Sequence, residues 1–324
     1  MSRLVPATGA AAESAEHKPW ERVVGIAVSI TAVATIVVVA ATHWAEWSNI
    51  LSDAAPTPLL AAVLVGGIGH FLNTVIAHES LKVSGSPIPL RSVYRIIAVG
   101  GLAKFIPGGV WQIGTQYGLG RAEGLGFQRS ILAWIEPTAF NVSVGGGMAL
   151  LAATTVDYRF PKALLVLGAL IAFAASTNPV RHRVYRLVRL IPAGEKSPLP
   201  MAGWVVRVAL TVVVVAGTGL GGMLIVDAFS LAPSPGFLGS LAAFVGAWVV
   251  GVLVFPVPGG LGVREGVLVL ALSPWMPAHE AVLVATAGRM VAVASELMAA
   301  AAGVIIKPGG AARARVEKES KADG

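Results

Sequence analysis

Cysteine is absent from the sequence, which removes disulfides, thiolate metal sites and thiol nucleophiles and leaves the redox compartment open. Charge is scarce as well. Asp, Glu, Lys and Arg make up 13% of the 324 residues, against about 25% in a soluble globular domain. A soluble chain of this length has too much surface to leave so few charges on it. What the sequence has instead is apolar length: 55% of its residues are hydrophobic and its mean hydropathy is +0.76. These residues come in continuous runs of roughly 20, the length a helix needs to cross a bilayer. The ten-residue alternation of an outer-membrane barrel is missing. The expected fold class is an all-α polytopic membrane protein.

The net charge of +7 does not point to nucleic acid, because basic residues gather in short segments beside apolar runs. That is the topology signal of the positive-inside rule. Residues 1–20 read as a cytoplasmic tail rather than a signal peptide, since they are polar and carry Glu13 and Glu16. A first span is expected over 23–42, ending in the aromatic belt of His43, Trp44 and Trp47. The connection 43–57 has no Lys or Arg and belongs outside. A second span, 59–77, leads to Lys82, Arg91 and Arg95 inside. Further spans are expected at 131–153, 163–177, 203–226, 237–256 and 281–306, with a strongly basic stretch at Arg181–Arg189 on the cytoplasmic leaflet. The transmembrane domain thus covers 21–306, and 307–324 form a basic cytoplasmic tail. Of the 24 basic residues, 17 fall in segments assigned inside and two, Arg159 and Lys162, in those assigned outside. Both termini are therefore expected in the cytoplasm.

Two segments break the pattern. Apolar residues 96–106 are too few to cross about 30 Å of hydrocarbon, and Pro107-Gly108-Gly109 cannot continue a helix. A second short piece follows, so 96–119 reads as a re-entrant hairpin. Pro258-Gly259-Gly260 makes a similar break after Phe255. Parity then requires the piece 257–273 to cross as a broken helix, giving about eight crossings with both termini inside. Irregular backbone at membrane depth survives where it is buried in protein or lines a wet cavity. Paired broken segments in two halves of a chain point to a transporter's binding site.

Ionisable residues within apolar runs are costly unless paired or hydrated, so they are functional candidates. They are Lys104, Glu136, Arg264, Glu265, Arg289 and Glu296, with Gln112, Gln116 and Asn141 as polar neighbours. Lys104, Gln112, Arg264 and Arg289 suit an anionic ligand, helped by backbone N–H groups at a new helix N-terminus. Arg264 alternatively pairs with Glu265 or Glu296. Glu136, Glu265 and Glu296 balance charge or carry protons, Glu136 as a lone carboxylate or as counter-ion to Lys104. Pro107, Gly108, Gly109, Pro258, Gly259 and Gly260 supply hinges. His70 and His78 lack a carboxylate cage, so no metal and no cofactor is expected. The Gly-Leu-Gly strings follow no strand and make no dinucleotide site. Gly217 and Gly221 are expected to allow close helix packing.

The segments Lys104-Phe-Ile-Pro-Gly-Gly-Val-Trp-Gln112 and Pro258-Gly-Gly-Leu-Gly-Val-Arg-Glu-Gly266 resemble the signature stretches of the lysylphosphatidylglycerol synthase transmembrane family. The likeness covers about 60–306. It implies movement of a phospholipid or polyprenyl-linked head group between leaflets, with Lys104, Pro107, Gly108, Trp111 and Gln112 as motif positions in the first stretch. Gly260, Gly262, Arg264 and Glu265 are those of the second, with Arg289 beyond. The sequence ends eighteen residues after Ile306, so a stand-alone member without the aminoacyl-transferase domain is expected. The expected function is flippase-like translocation of an anionic lipid across the inner membrane, without enzymatic activity. The alternative is a non-transporting scaffold or regulator of a lipid-modifying enzyme or glycosyltransferase.

Overall fold

A computed structural model describes residue 38 and residues 41–105, 111–155, 201–253 and 262–306. Most of the span expected over 23–42, the span over 163–177, the basic stretch 181–189 and both tails lie outside the described residues. So do Pro107, Gly108, Gly109, Pro258, Gly259 and Gly260. Among the described residues all regular structure is helical: α1 Trp44–Ser52, α2 Pro56–Val83, α3 Leu90–Gly101, α4 Trp111–Ala122, α5 Phe127–Thr155, α6 Met201–Ala228, α7 Gly236–Leu253, α8 Val263–Leu272 and α9 Ala278–Ile305. A 3-10 turn, Leu102–Phe105, extends α3. Four helices, α2, α6, α7 and α9, are long and apolar enough to cross a membrane.

Helix α2 starts at a proline and runs six residues beyond the expected 59–77 span, to a stop at Ser84 and Gly85. Leu60, Leu64, Ile68 and Phe71 lie on one exposed stripe of α2, as a lipid-facing helix requires. Helix α6 runs antiparallel beside it. Ala55 N–H bonds Ala228 O at one end of the pair, and Arg207 reaches Ser80 at the other. The segment 43–57, expected as a plain connection, folds into α1. Its Trp47 is buried rather than interfacial and donates Nε1–H to His279 O at the start of α9, 3.3 Å away.

The expected hairpin is present with longer arms. Its first arm begins at Leu90, because Pro87 and Pro89 set the helix start there. The second ends at Ala122, before Gly124 in the left-handed region. Each twelve-residue helix rises about 18 Å, too short to span. The arms are antiparallel: Ser92 Oγ bonds Glu123 near their open end, and Gly100 sits on the backbone of Gln116 near their tip. Leu81, Val93, Ile96, Leu125 and Ala133 pack beneath them.

Helix α8 also meets expectation. Arg264 lies beside Gly251 and Trp275 beside Gly239, so the chain turns after α7 and α8 runs back along it. Ten residues give a rise of only about 15 Å, and Ser273–Met276 complete the return before α9 begins. The start of α8 needs Gly262, whose φ of 85° is unfavourable for a residue with a Cβ. The main core gathers Ile225, Phe244, Val245, Leu272 and Val284 between α6, α7, α8 and α9.

The tip of the hairpin gives a paired prediction. A Cβ on Gly100 would stand 3.3 Å from Gln116 Cα, whereas one on Gly101 would meet nothing within 4 Å. Gly100→Ala should lower thermal stability in detergent, by about 1–3 kcal/mol if it behaves as overpacking. Gly101→Ala should leave it unchanged or raise it, since alanine is the better helix former.

Candidate functional site

The apolar runs that form the bundle do not close over its middle. Helices α2 to α9, all except α1, surround a cavity of about 340 Å³, within the range of about 300–1,000 Å³ of small-molecule sites. Gly66 and Gly69 on α2 and Gly217, Gly221 and Gly222 on α6 are among the residues that line it. Gly217 and Gly221 line the cavity, and Gly217 also packs near α2, where a Cβ would stand 3.4 Å from Val65 Cγ1. Side chains beside each break line the cavity. Lys104 and Gln112 come from the two sides of the hairpin tip, and Arg264 from the first turn of α8.

Lys104 is only partly buried, and its Nζ meets Glu296 Oε1 of α9 at 2.5 Å. This pair crosses from the 3-10 turn to a spanning helix, on the cavity wall. Arg264 also lines the cavity and has no ion-pair partner within 4.0 Å among the described residues. It therefore does not pair with Glu265 or Glu296 in the way that was the alternative reading. Two cations and one carboxylate on the wall leave a net charge of +1, a field that favours an anion.

Much of the rest of the wall is apolar, from Val65, Ile97, Val215, Ile225, Phe244 and Val291, with a neutral polar part between. Asn141 Nδ2 donates to Asn73 Oδ1 at 2.6 Å, and Gln116, Thr138, Thr218, Trp134 and Trp248 complete it. Pro137 sits in the middle of α5 without ending the helix. It leaves the carbonyl four residues back without its helical N–H, at Ala133, another cavity residue.

Three expectations are corrected. Glu136 is not a lone carboxylate and is not the counter-ion of Lys104. Its Oε2 accepts from Arg207 Nη1 at 2.9 Å, and neither residue lines the cavity. Arg207 is fully buried, donates also to Ser80 Oγ and Gly203 O, and lies 5.3 Å from the Phe140 ring centroid. Second, Arg289 does not line the cavity; its Nη1 stands 3.9 Å from Glu265 Oε1. Third, the N-terminus of α8 does not present all its donors to a ligand. Gly262 N–H is taken by Glu265 Oε2 at 2.7 Å, one half of a capping box whose other half needs a side chain glycine lacks. Glu265 is thus a positioning group that joins the start of α8 to Arg289.

Sequence reasoning missed Arg207 as an intramembrane charge, because it counts by position among the inside basic residues. Its signal was there: it follows Val205 and Val206 within the run 203–226, and Glu136 offered the matching sign. Asn73 was missed too, and His70, considered only as a metal ligand, lines the cavity. Among the described residues no three His, Asp or Glu side chains come together as a metal site.

The buried pair makes a stability prediction. Removing one partner of a buried ion pair typically destabilises by about 3–5 kcal/mol, more than replacing both. Glu136→Ala should therefore lower the melting temperature in detergent far more than Glu296→Ala, whose partner Lys104 has a 30% exposed side chain. The double change Glu136→Gln with Arg207→Met should recover most of the loss.

No curated protein matches the chain at a significant level. The family described as "Lysylphosphatidylglycerol synthase TM region" matches residues 22–299, most of the sequence and all the helices that line the cavity. The matched range includes the segments around Lys104 and Arg264, and this chain belongs to the lysylphosphatidylglycerol synthase transmembrane family.

Proposed function

We propose that this protein moves anionic lipid head groups between the leaflets of the inner membrane, without enzymatic chemistry and with both termini in the cytoplasm. One observation carries the reading: two short-helix segments bring Lys104 and Arg264 to the wall of one cavity inside an apolar bundle. Uncatalysed lipid flipping is slow because a charged head group must cross hydrocarbon. A cavity with cations and amides replaces the lost hydration, while the acyl chains stay in lipid. The ligand is a phospholipid or a polyprenyl-phosphate-linked lipid.

Arg264 is the residue for first contact, since it forms no ion pair among the described residues. Lys104 is bound to Glu296, so a phosphate engages it by displacing that carboxylate. Glu296 must then take a proton or a hydrogen bond from the ligand. This exchange links occupancy to the packing of the 3-10 turn on α9, a direct way to couple binding to movement of the hairpin. Alternating exposure would follow from rocking of the short elements against the spanning ones.

Exchange of fluorescent phosphatidylglycerol between leaflets of proteoliposomes tests this. Wild type should exceed protein-free vesicles, and Arg264→Gln and Lys104→Gln should each reduce the rate by at least about tenfold, the effect of losing one charged contact. Arg264→Gln should keep its melting behaviour, and Lys104→Gln should lose less stability than Glu136→Ala. Exchange no faster than in empty vesicles, with phospholipid and polyprenyl phosphate alike and with a proton gradient applied, would favour the non-transporting scaffold.

A further inference from the structure

Four ionisable side chains line the cavity among the described residues: Lys104, Arg264, Glu296 and His70. The first three have tasks in translocation, and His70 has none. Helix α2 brings it to the wall. Ala62, Gly66, Gly69 and Asn73 share its cavity-lining side, while Leu60, Leu64, Ile68 and Phe71 take the exposed stripe. The packing of α2 on α9 sets its level. Ser295 Oγ donates to Val63 O at 3.0 Å, and Gly66 sits against the same side chain. His70, one turn beyond Gly66, thereby comes within electrostatic range of Glu296 and its partner Lys104. The ring is half-buried and lines the cavity. Its nitrogens make no hydrogen bond among the described residues, and Asn73 beside it is already joined to Asn141.

In the empty cavity Lys104 holds Glu296, and with Arg264 the charge around His70 sums to +1, so a further positive charge on the ring is opposed. Arg289 and Glu265, behind this set, face each other and cancel. No other charge intervenes on the elements packed against α2. Helices α5, α6 and α7 give the wall only neutral side chains, and Tyr94 on α3 spends its hydrogen on Ala299 O. Glu136 and Arg207 pair with one another beside Ser80, about 15 Å further along α2, where His78, Glu79 and Lys82 also lie. A phosphate that draws Lys104 away changes the sum. One negative charge brings it to zero, and Glu296 loses its ion-pair partner while its Oε2 has no hydrogen bond among the described residues. An unpaired carboxylate in such a place is costly. Imidazole is the side chain that gains a proton closest to neutral pH, and it stands beside that carboxylate.

We propose that His70 is the proton-binding residue of the cavity: an anionic head group is taken up together with one proton, held between His70 and the Glu296 that Lys104 releases. The proton comes from water and returns to it when the head group leaves and Lys104 closes on Glu296 again. Lipid movement is then responsive to a proton gradient. The proposal rests on the translocation reading for its ligand, and proton uptake on binding tests it separately from transport.

Dioctanoyl phosphatidylglycerol is the probe, because a phosphodiester lacks the second ionisation that a phosphomonoester has at about pH 6. Any proton taken up then belongs to the protein. Calorimetric titration of the full chain in detergent, in two buffers of different ionisation enthalpy, reads the protons bound with the lipid. Wild type should take up about one proton per lipid, and binding should tighten as pH falls, by up to about tenfold per pH unit. His70→Gln should bind with almost no uptake and little pH dependence. His78→Gln, near the C-terminal end of α2 and outside the cavity, should behave as wild type. If His70→Gln does not fold, Glu296→Gln removes the carboxylate that shares the proton and should also abolish uptake. Binding without uptake, or uptake that survives in His70→Gln, overturns the proposal and leaves the translocation reading in place. Absence of binding overturns the proposal too, and lipid exchange in vesicles then decides the translocation reading. Uptake on binding with no exchange in vesicles upholds the proton site and removes transport.

Discussion

A charge inside an apolar bundle has to be neutralised or hydrated within reach of its own side chain, and that constraint organises this protein. Arg207 ties α6 to α5 through Glu136 and to α2 through Ser80. Lys104 ties the 3-10 turn to α9 through Glu296. Arg289 and Glu265 face one another between α9 and α8. Each pair fixes the position of elements that apolar packing alone would leave free to slide, because lipid solvates leucine as well as a neighbouring helix does. Arg264 stands apart from this scheme, and it stands in the cavity.

The short elements follow from the same solvent. Helices α3, α4 and α8 cannot span, so their ends fall within the bundle, where unpaired backbone must face protein or water. They are covered by the spanning helices, and the cavity lies where their ends converge. Glycines on α2 and α6 let neighbouring helices come close around it; larger side chains at Gly66, Gly217 or Gly222 would meet Ser295, Val65 or Phe244.

Much of this was legible in the sequence. Apolar run length gave the fold class and located α2, α6, α7 and α9, four helices able to span, to within about six residues, whereas the helix over the expected span 131–153 is not among them. Parity of the basic segments required the return of the chain through α8, whose pairing with α7 runs from Arg264 to Trp275. Partners were harder to read than positions. Glu136 and Lys104 both lie in apolar surroundings with opposite sign, yet each pairs with a residue on another helix, Arg207 and Glu296. Pairing depends on helix rotation and neighbour choice, which run length does not encode. Glu265 and Arg264 are adjacent in sequence, and only the turn of α8 sends one to its own helix cap and the other to the cavity.

Water in the cavity is the claim on which the account stands, and the cysteine-free sequence makes it directly measurable. Single cysteines at Thr218, on the cavity wall, and at Leu64, on the exposed apolar stripe of α2, can be compared in liposomes. The probe is a small, charged thiosulfonate reagent, which reacts with a thiolate and so needs water around the sulfur. The account predicts fast labelling at position 218, slowed by added anionic lipid, and no labelling at position 64. Equal inertness of both positions would mean a dry bundle and would contradict it.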